Sequence, residues 1–160
     1  MHLPETTMAE LVDDAPVGRS TREIFAGKRA ILVGVPAAFS PICSRVHVRG
    51  FVEQARSLRL SGFDMIACVS ANDPWVMARW ARAVDPDGRL RFLSDGNLEF
   101  AQACSLTTTG RDLFIGTRLR RFTLVVRDCV IERVEVESSA LEVTCSAAGR
   151  FLEGADCRPA

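Results

Sequence analysis

The sequence predicts a three-layer α/β domain, in which a central mixed β-sheet lies between two layers of helices. Two short apolar runs, at residues 29–35 and 63–69, are rich in β-branched side chains and are typical of buried central strands. Each run is followed by a segment in which apolar residues recur at helical spacing. Two further strand-like runs joined by a tight turn come near the end of the chain, which completes the pattern.

The first half of the chain supplies the first strand and the first helix. We predict that residues 1–27 form a short strand or hairpin that leads into Ile24 and Phe25. The run at 29–35 (RAILVGV) is bounded by Gly27-Lys28 and by Pro36, so it reads as one buried strand. A helix is predicted from Cys43 to about residue 60, with Gly62 suited to its C-terminal end. Its apolar positions are Val46, Phe51, Val52, Ala55 and Leu58.

The second half alternates further strands and helices. A strand at 63–69 is followed by Asn72-Asp73-Pro74, which caps a helix through about residue 83. The remaining elements are a strand at 90–93, a helix at 97–104, strands at 121–126 and 130–136 joined by a turn at 127–129, and a short helix from about 146. This order suits a thioredoxin-like sheet, because right-handed crossovers put the first helix directly after the first central strand.

Length and charge limit the possible partners. The 160 residues predict one domain spanning 1–160, large enough for a hydrophobic core. Lys+Arg and Asp+Glu balance at 20 each, so no net field favours nucleic acid or a membrane surface. No apolar run reaches the roughly 18 residues of a membrane span. Residues 1–14 are polar and acidic, without a secretory signal pattern, so we expect a cytoplasmic location.

The cysteines predict free thiols. Three disulfides are possible in principle, but that inference belongs to short secreted chains. No CxxC pair is present, which disfavours a disulfide oxidoreductase, and the histidines His2 and His47 belong to no cluster at zinc spacing. We therefore expect neither a metal nor a bound organic cofactor. The six positions are Cys43, Cys68, Cys104, Cys129, Cys145 and Cys157.

Cys43 lies where the loop after the first strand enters the first helix. A helix N-terminus offers unpaired N–H groups and a partial positive charge, which together stabilise an anion such as a thiolate. The alternative is a buried structural thiol, since free cysteine is among the most buried residue types. Position alone leaves both roles open and identifies no reaction.

The segment that ends the loop resembles the active-site segment of peroxiredoxins, specifically the type II or atypical two-cysteine subfamily. GVPAAFSPICSRVHVRGFVEQA (34–55) contains the pattern Pro-x-x-x-Thr/Ser-x-x-Cys at Pro36, Ser40 and Cys43. The resemblance runs from about Ile24 to the C-terminal region, and several ordered matches are more specific than one short motif. The further segments are ACVSANDPWVMARW (67–80), FLSD (92–95), RRFTLVV (120–126) and VTCS (143–146).

The resemblance implies a thiol peroxidase that reduces hydrogen peroxide and organic hydroperoxides to water or alcohols. Cys43 would be the nucleophile that becomes a sulfenic acid. Ser40 would hold the peroxide and the thiolate through its hydroxyl, and Pro36 would shield the sulfur from water. Arg121 would stabilise the thiolate and the charge on the leaving oxygen. The alternative for Arg121, a solvated charge at a strand end, suits the arginines at 118 and 120 better.

Three positions depart from the family pattern. Ser40 stands where the family usually has Thr, so the hydroxyl remains but the methyl that limits its rotamers is lost. Ala37 stands where the family usually has Gly. Cys129 occupies a hairpin-turn position that is commonly Gly, and a positive φ there would strain it. None of these changes removes a reacting group.

The thiol that resolves the sulfenic acid is the open point. Cys145 matches the resolving cysteine of animal-type atypical two-cysteine enzymes, and a loop thiol near the C-terminus could move to meet Cys43, giving a disulfide for thioredoxin to reduce. Cys68 matches a second cysteine of many type II members, but an apolar strand favours a structural thiol. Many relatives instead pass the sulfenic acid to glutathione or glutaredoxin. Cys104 is expected in the core and Cys157 in an exposed tail.

Two further predictions concern the partners and the first helix. Trp75, Val76 and Trp80 form an apolar group that suits core packing, while the resemblance implies that Trp75 and Val76 lie near a homodimer contact. His47 lies one helical turn after Cys43 and is expected to be a neutral packing or hydrogen-bonding residue. The competing function is a peroxide sensor or redox-relay protein that uses the same cysteine.

Overall fold

A seven-stranded mixed β-sheet forms the centre of the computed structural model, which describes residues 1–152. Side by side, the sheet strands lie in the order β2-β1-β5-β4-β3-β8-β9, and β6 and β7 form a separate hairpin. In chain order the strands are β1 (Thr7–Val12), β2 (Ala15–Ser20), β3 (Arg29–Gly34), β4 (Met65–Ser70), β5 (Arg91–Ser94), β6 (Thr107–Thr109), β7 (Thr117–Leu119), β8 (Phe122–Arg127) and β9 (Val130–Val136).

Helices connect these strands and cover both faces of the sheet. The helix α2 is continuous with a π-helical turn, Cys43–His47, that precedes it, and 3₁₀ turns occur at Arg111–Leu113 and Ala148–Phe151. The α-helices are α1 (Thr21–Phe25), α2 (Val48–Leu60), α3 (Pro74–Val84) and α4 (Glu99–Ala103).

The middle of the sheet brings two distant chain segments to one edge. β3, β4 and β5 are parallel, with α2 and α3 as the crossovers that parallel pairing requires. β8 pairs with β3 in the antiparallel direction, with Gly34 opposite Phe122. Because antiparallel neighbours run in opposite senses, the end of β3 meets the start of β8. The loop that leads to Cys43 therefore begins beside Arg121.

The central strands are buried on both faces, which explains their continuous apolar sequence. On β3, Leu32 faces a core that contains Phe25 of α1 and Phe100 of α4. Its neighbour Val33 faces a second core that contains Phe51, Leu58, Met77 and Trp80 of α2 and α3. The predicted three-layer arrangement is confirmed.

The ends of the described chain differ in detail from the prediction. The N-terminal segment is the hairpin β1–β2 followed by α1, so the expected hairpin leading into Ile24 and Phe25 is present. The predicted C-terminal helix from about residue 146 is only the 3₁₀ turn 148–151. The physical reason is that the backbone N–H and C=O of Ser146 make tertiary hydrogen bonds instead of helical ones. Cys157 lies outside the described residues.

The region from α4 to β8 differs most from the prediction. The predicted helix at 97–104 is shortened to 99–103, because Leu98 has a left-handed φ of 60° and the Asp95 carboxylate accepts the N–H groups of Phe100 and Ala101. The hairpin β6–β7 that follows escaped prediction, since its strands are short and polar. It presents Leu113 and Ile115 at the edge where β3 meets β8.

The turn between β8 and β9 confirms the strain expected at Cys129. Asp128 and Cys129 have φ of 46° and 63°, as a two-residue type I′ hairpin turn requires. The Asp128 carboxylate accepts the backbone N–H of Gly27 at 2.7 Å, and this hydrogen bond stabilises Asp128 in the turn. A left-handed conformation is costly for a residue with a Cβ atom, so Cys129 carries the strain.

We expect Cys129→Gly to be more stable than Cys129→Ala by about 1 kcal/mol, since both lose the thiol and only glycine relieves the positive φ. Urea midpoints of the two variants measure the difference. The matched control is Cys104, whose φ is −91°. There the order should reverse, with glycine the less stable of the two; an alanine advantage at both positions contradicts the assignment of strain.

Candidate active site

Cys43 lies in the first turns of the helical segment that leads into α2. The N–H of Ser44 donates to the Ser40 carbonyl at 2.9 Å, so the helix begins at Ser40 with Pro41 in a first-turn position that suits proline. The N–H of Val48 reaches back to the Cys43 carbonyl, which creates the π-helical turn. Cys43 is 1% exposed. Such turns recur at functional sites.

The loop before Cys43 is anchored from the neighbouring strand. The N–H of Ala38 donates to Asn72 Oδ1 at 2.9 Å, and the Ser70 hydroxyl donates to the same oxygen at 2.8 Å. Asp73, rather than Asn72, caps α3 through the N–H of Val76. The sequence predicted the cap from the whole triplet and missed the role of the Asn72 side chain as the loop anchor.

Arg121 brings its guanidinium directly to the Cys43 sulfur. Its Nη2 lies 3.3 Å from Cys43 Sγ and 2.7 Å from the Ala140 carbonyl oxygen. Its Nε donates to the same carbonyl at 3.2 Å, and its Nη1 lies 3.2 Å from Nδ1 of His47. The side chain is 2% exposed, so it is not a solvated strand-end charge.

His47 holds the guanidinium from the side opposite the Ala140 carbonyl. Arginine has no acceptor, so Nδ1 of His47 must accept and Nε2 must carry the hydrogen, which it donates to the Ser146 carbonyl at 3.1 Å. Burial lowers the pKa of His47 to about 4, and the Arg121 charge acts in the same direction. The structure thus agrees with a neutral hydrogen-bonding histidine.

A pocket of about 320 Å³ opens over these groups. The Ser40 hydroxyl donates to the Ala37 carbonyl at 2.9 Å, and among the described contacts it makes no hydrogen bond to Cys43 Sγ. Its lone pairs remain available to a ligand with an O–H group. Most of the lining is apolar: Pro36, Ala37, Ser40, Pro41, Ile42, Cys43, Leu113, Ile115, Arg121, Ala140 and Leu141.

The other described cysteines lie in less favourable electrostatic surroundings for a thiolate. Burial raises the pKa of Cys104 to about 11 and also raises that of Cys129. Complete burial on β4 raises the pKa of Cys68 well above its usual range, and the nearby Cys43 sulfur acts in the same direction. All five described thiols are free. Cys43 differs from the others by the guanidinium donor on its sulfur.

Cys145 lies in a turn that one carboxylate holds on both sides. Glu137 accepts four hydrogen bonds, two from Thr144 and two from Ser146. Burial raises the pKa of Cys145, and the carboxylates of Glu137 and Glu135 act in the same direction. Four hydrogen bonds thus hold the turn on both sides of Cys145, the thiol that the sequence predicts to move towards Cys43.

Two groups around Arg121 were missed by reasoning from the sequence. The Ala140 contact is made by a backbone carbonyl, which every residue possesses, so no side-chain signal could have revealed it. Glu137 accepts hydrogen bonds from Thr144 and Ser146, which lie seven and nine positions further along the chain. No local motif relates it to them.

The Redoxin family model matches residues 2–150. Peroxiredoxin-2B of Arabidopsis thaliana is 40% identical over 134 residues, which cover 84% of this chain and 82% of that protein. This chain belongs to the peroxiredoxins. As a peroxiredoxin it is a thiol peroxidase, an oxidoreductase that needs no prosthetic group and draws electrons from thiol reductants.

Solved peroxiredoxin structures share the fold. Reduced Prx3 of Vibrio vulnificus in complex with hydrogen peroxide superposes with a TM-score of 0.89 at 32% identity, covering 95% of this chain and 94% of that one. Peroxiredoxin 5 of Alvinella pompejana gives 0.78 at 28% identity, covering 86% and 88%. The sheet is therefore thioredoxin-like, as the order of strands and helices predicted.

Neither a metal-binding cluster nor a membrane-spanning helix occurs within residues 1–152 of this peroxiredoxin. No three or more His, Cys, Asp and Glu side chains in this part of the chain are grouped so that they could hold a metal ion. None of its helices combines the length and the hydrophobicity needed to cross a bilayer.

We expect His47 to make the folded protein acid-sensitive between about pH 6.5 and 4. The unfolded chain binds a proton on this ring near pH 6.5, while the folded protein resists until about pH 4, so stability falls as the pH falls through this window. Wild type should lose roughly 3 kcal/mol more than His47→Asn between pH 7 and 4. Urea unfolding across pH measures both. Parallel curves throughout would contradict the assignment.

Proposed function

We propose that this peroxiredoxin reduces hydrogen peroxide and small organic hydroperoxides through a sulfenic acid on Cys43. The observation that carries the proposal is the Arg121 Nη2 contact, 3.3 Å from a buried Sγ at the base of an apolar pocket. A buried cation beside a thiol favours the thiolate, which is the nucleophile.

The proposed chemical step is a two-electron oxygen transfer. The Cys43 thiolate attacks the nearer peroxide oxygen, so an S–O bond forms and the O–O bond breaks. Sulfur is oxidised to the sulfenic acid and the peroxide is reduced. The leaving oxygen departs as hydroxide or alkoxide and takes up a proton, which gives water or an alcohol.

Arg121 is the proposed stabiliser of the leaving oxygen. Its contacts with Ala140, His47 and Cys43 use four of its five N–H groups. The fifth, on Nη1, has no protein partner among residues 1–152, and Arg121 lines the pocket. A substrate oxygen can accept it where charge develops. Ser40 is the proposed acceptor for the peroxide O–H, because its own proton goes to Ala37.

The pocket walls support organic peroxides as substrates. Leu113, Ile115 and Leu141 give the opening an apolar rim on which an alkyl group can pack. Pro36 is buried beside the sulfur and limits the access of water.

For the return to the thiol we propose Cys145, on the strength of its match to the family's resolving cysteine, followed by reduction with thioredoxin. We propose that the 144–146 turn leaves Glu137 when the 43–145 disulfide forms. Direct reduction by glutathione or glutaredoxin is the second candidate, and the firm anchoring of that turn favours it. Cys68 is completely buried on β4 and is proposed to be structural.

A homodimer in a reducing compartment such as the cytoplasm is the proposed setting. Trp75 is 52% exposed on α3, which suits a contact with a second copy, and Val76 beside it is half-buried. Trp80 is completely buried and instead donates its Nε1–H to the Ser44 hydroxyl at 3.0 Å. The proposed contact therefore involves the first two of the three apolar residues.

Arg121→Lys should slow the oxidation of Cys43 by hydrogen peroxide by about a hundredfold, because a lysine cannot reproduce the planar set of donors. Stopped-flow single turnovers of the reduced protein give this rate constant without any reductant. Arg127→Lys is the matched control, since Arg127 ends β8, the strand that begins directly after Arg121, and forms an exposed ion pair with Glu132. Equal rates for Arg121→Lys and wild type would overturn the role of Arg121.

Cys145→Ser should retain single-turnover oxidation but lose turnover with thioredoxin. Mass spectrometry of wild type after one equivalent of peroxide should detect the 43–145 disulfide. Full activity of Cys145→Ser with glutathione and glutaredoxin, and no disulfide in wild type, would replace Cys145 by the one-cysteine route.

Cys43→Ser is the reference for the whole proposal, because it should abolish peroxide consumption with every donor. A variant that keeps its rate contradicts the central role of Cys43. Stoichiometric oxidation of wild type with no turnover by any donor would favour the sensor or relay function.

A further inference from the structure

Glu137 is a buried carboxylate that does not touch the reacting sulfur. It follows directly after β9, and its N–H donates to the Arg121 carbonyl at 2.9 Å, which continues the β8–β9 ladder by one residue. The residue is 3% exposed. No acid–base or binding step proposed above requires a carboxylate at this place.

All the side-chain contacts of Glu137 converge on one turn. Oε1 accepts from the N–H of Thr144 at 2.6 Å, and from the N–H and hydroxyl of Ser146 at 2.9 and 2.7 Å. Oε2 accepts from the Thr144 hydroxyl at 2.8 Å. Burial would raise the pKa of Glu137, but these four donors outweigh it and hold the pKa at about 2.

The held turn continues towards the reacting sulfur. The Ser146 carbonyl accepts Nε2–H of His47 at 3.1 Å and the Thr123 hydroxyl at 2.8 Å. Accepting Nε2–H fixes the tautomer in which Nδ1 of His47 faces Nη1 of Arg121 at 3.2 Å. The other terminal nitrogen of Arg121 contacts Cys43 Sγ. A continuous series of hydrogen bonds thus joins Glu137 to the reacting sulfur.

We propose that Glu137 is a positioning residue for peroxide reduction, acting on Arg121 through the Ser146 carbonyl and His47. The inference rests on the proposed role of Arg121. A planar guanidinium needs support at two edges to keep its orientation. The Ala140 carbonyl supports the Nε and Nη2 edge, and His47 supports Nη1.

In the proposed path, the loss of Glu137 acts on the second of these supports, His47. The Thr144 and Ser146 donors would then lack their acceptor, so the Ser146 carbonyl would lose its fixed direction and with it the orientation of the His47 ring. The remaining N–H groups of Arg121 would no longer point reliably at the sulfur and the substrate oxygen. Small displacements of catalytic groups strongly lower the rate constant of a reaction.

The test is a double-mutant cycle on the single-turnover rate of Cys43 oxidation by hydrogen peroxide. Glu137→Ala should slow this step by about ten- to a hundredfold. Glu137→Gln should lose much less, because the amide oxygen can still accept the three Oε1 bonds and its NH₂ can donate to the Thr144 hydroxyl. Glu132→Gln, which breaks only an exposed ion pair on β9, is the control and should leave the rate unchanged.

The decisive arm repeats Glu137→Ala in a His47→Gln background. The glutamine amide can reach the Ser146 carbonyl but offers Arg121 no acceptor at the Nδ1 position, so the path is already broken. The proposal requires that Glu137→Ala causes no further slowing there. The same slowing in both backgrounds, or a wild-type rate for Glu137→Ala alone, overturns it.

Two further arms keep the result interpretable. If Glu137→Ala does not fold, Thr144→Val combined with Ser146→Ala removes two of the four donors with little change of volume; its slowing must disappear in the His47→Gln background, and an unchanged rate overturns the proposal. Arg121→Lys is measured alongside. If that variant keeps the wild-type rate, the proposed role of Arg121 has failed, whatever Glu137 does.

Discussion

The contact between the Arg121 guanidinium and the Cys43 sulfur is the interaction on which the site depends. A charge buried to this degree is costly unless it is paired and hydrogen-bonded. Among the described residues no carboxylate forms an ion pair with Arg121; its partners are a carbonyl, a neutral histidine and the sulfur. Of these three partners, the Cys43 sulfur is the one whose ionised form would compensate this cation.

The sheet explains how two residues 78 positions apart in the chain come into this contact. Parallel pairing of β3 with β4 sends the chain into a crossover helix, and Cys43 lies in its first turns. Antiparallel pairing of β3 with β8 returns Arg121 to the same edge. Asn72 then anchors the loop between β3 and the helix from the side of β4. Cys43, Arg121 and Asn72 therefore meet at one edge of the sheet because of the directions in which β3, β8 and β4 run.

The same edge of the sheet holds two thiols in opposite surroundings. Cys43 faces a guanidinium, whereas burial and the neighbouring Glu137 and Glu135 carboxylates raise the pKa of Cys145. The two thiols therefore differ in the charge of their ionisable neighbours. Glu137 links the two, because the turn it holds carries Cys145 and also supplies the carbonyl that orients His47.

The sequence by itself determined the two buried central strands, the helices that follow them and the candidate residues Pro36, Ser40, Cys43 and Arg121, because these depend on local periodicity and on ordered motifs. It also anticipated the strain at Cys129. Only the tertiary structure decided which groups hold Arg121 in place. The groups concerned are the Ala140 carbonyl, the Nε2–H tautomer of His47, and the Glu137 carboxylate that accepts hydrogen bonds from the 144–146 turn. Their contacts arise from strand pairing and burial, which leave no local signal in the chain.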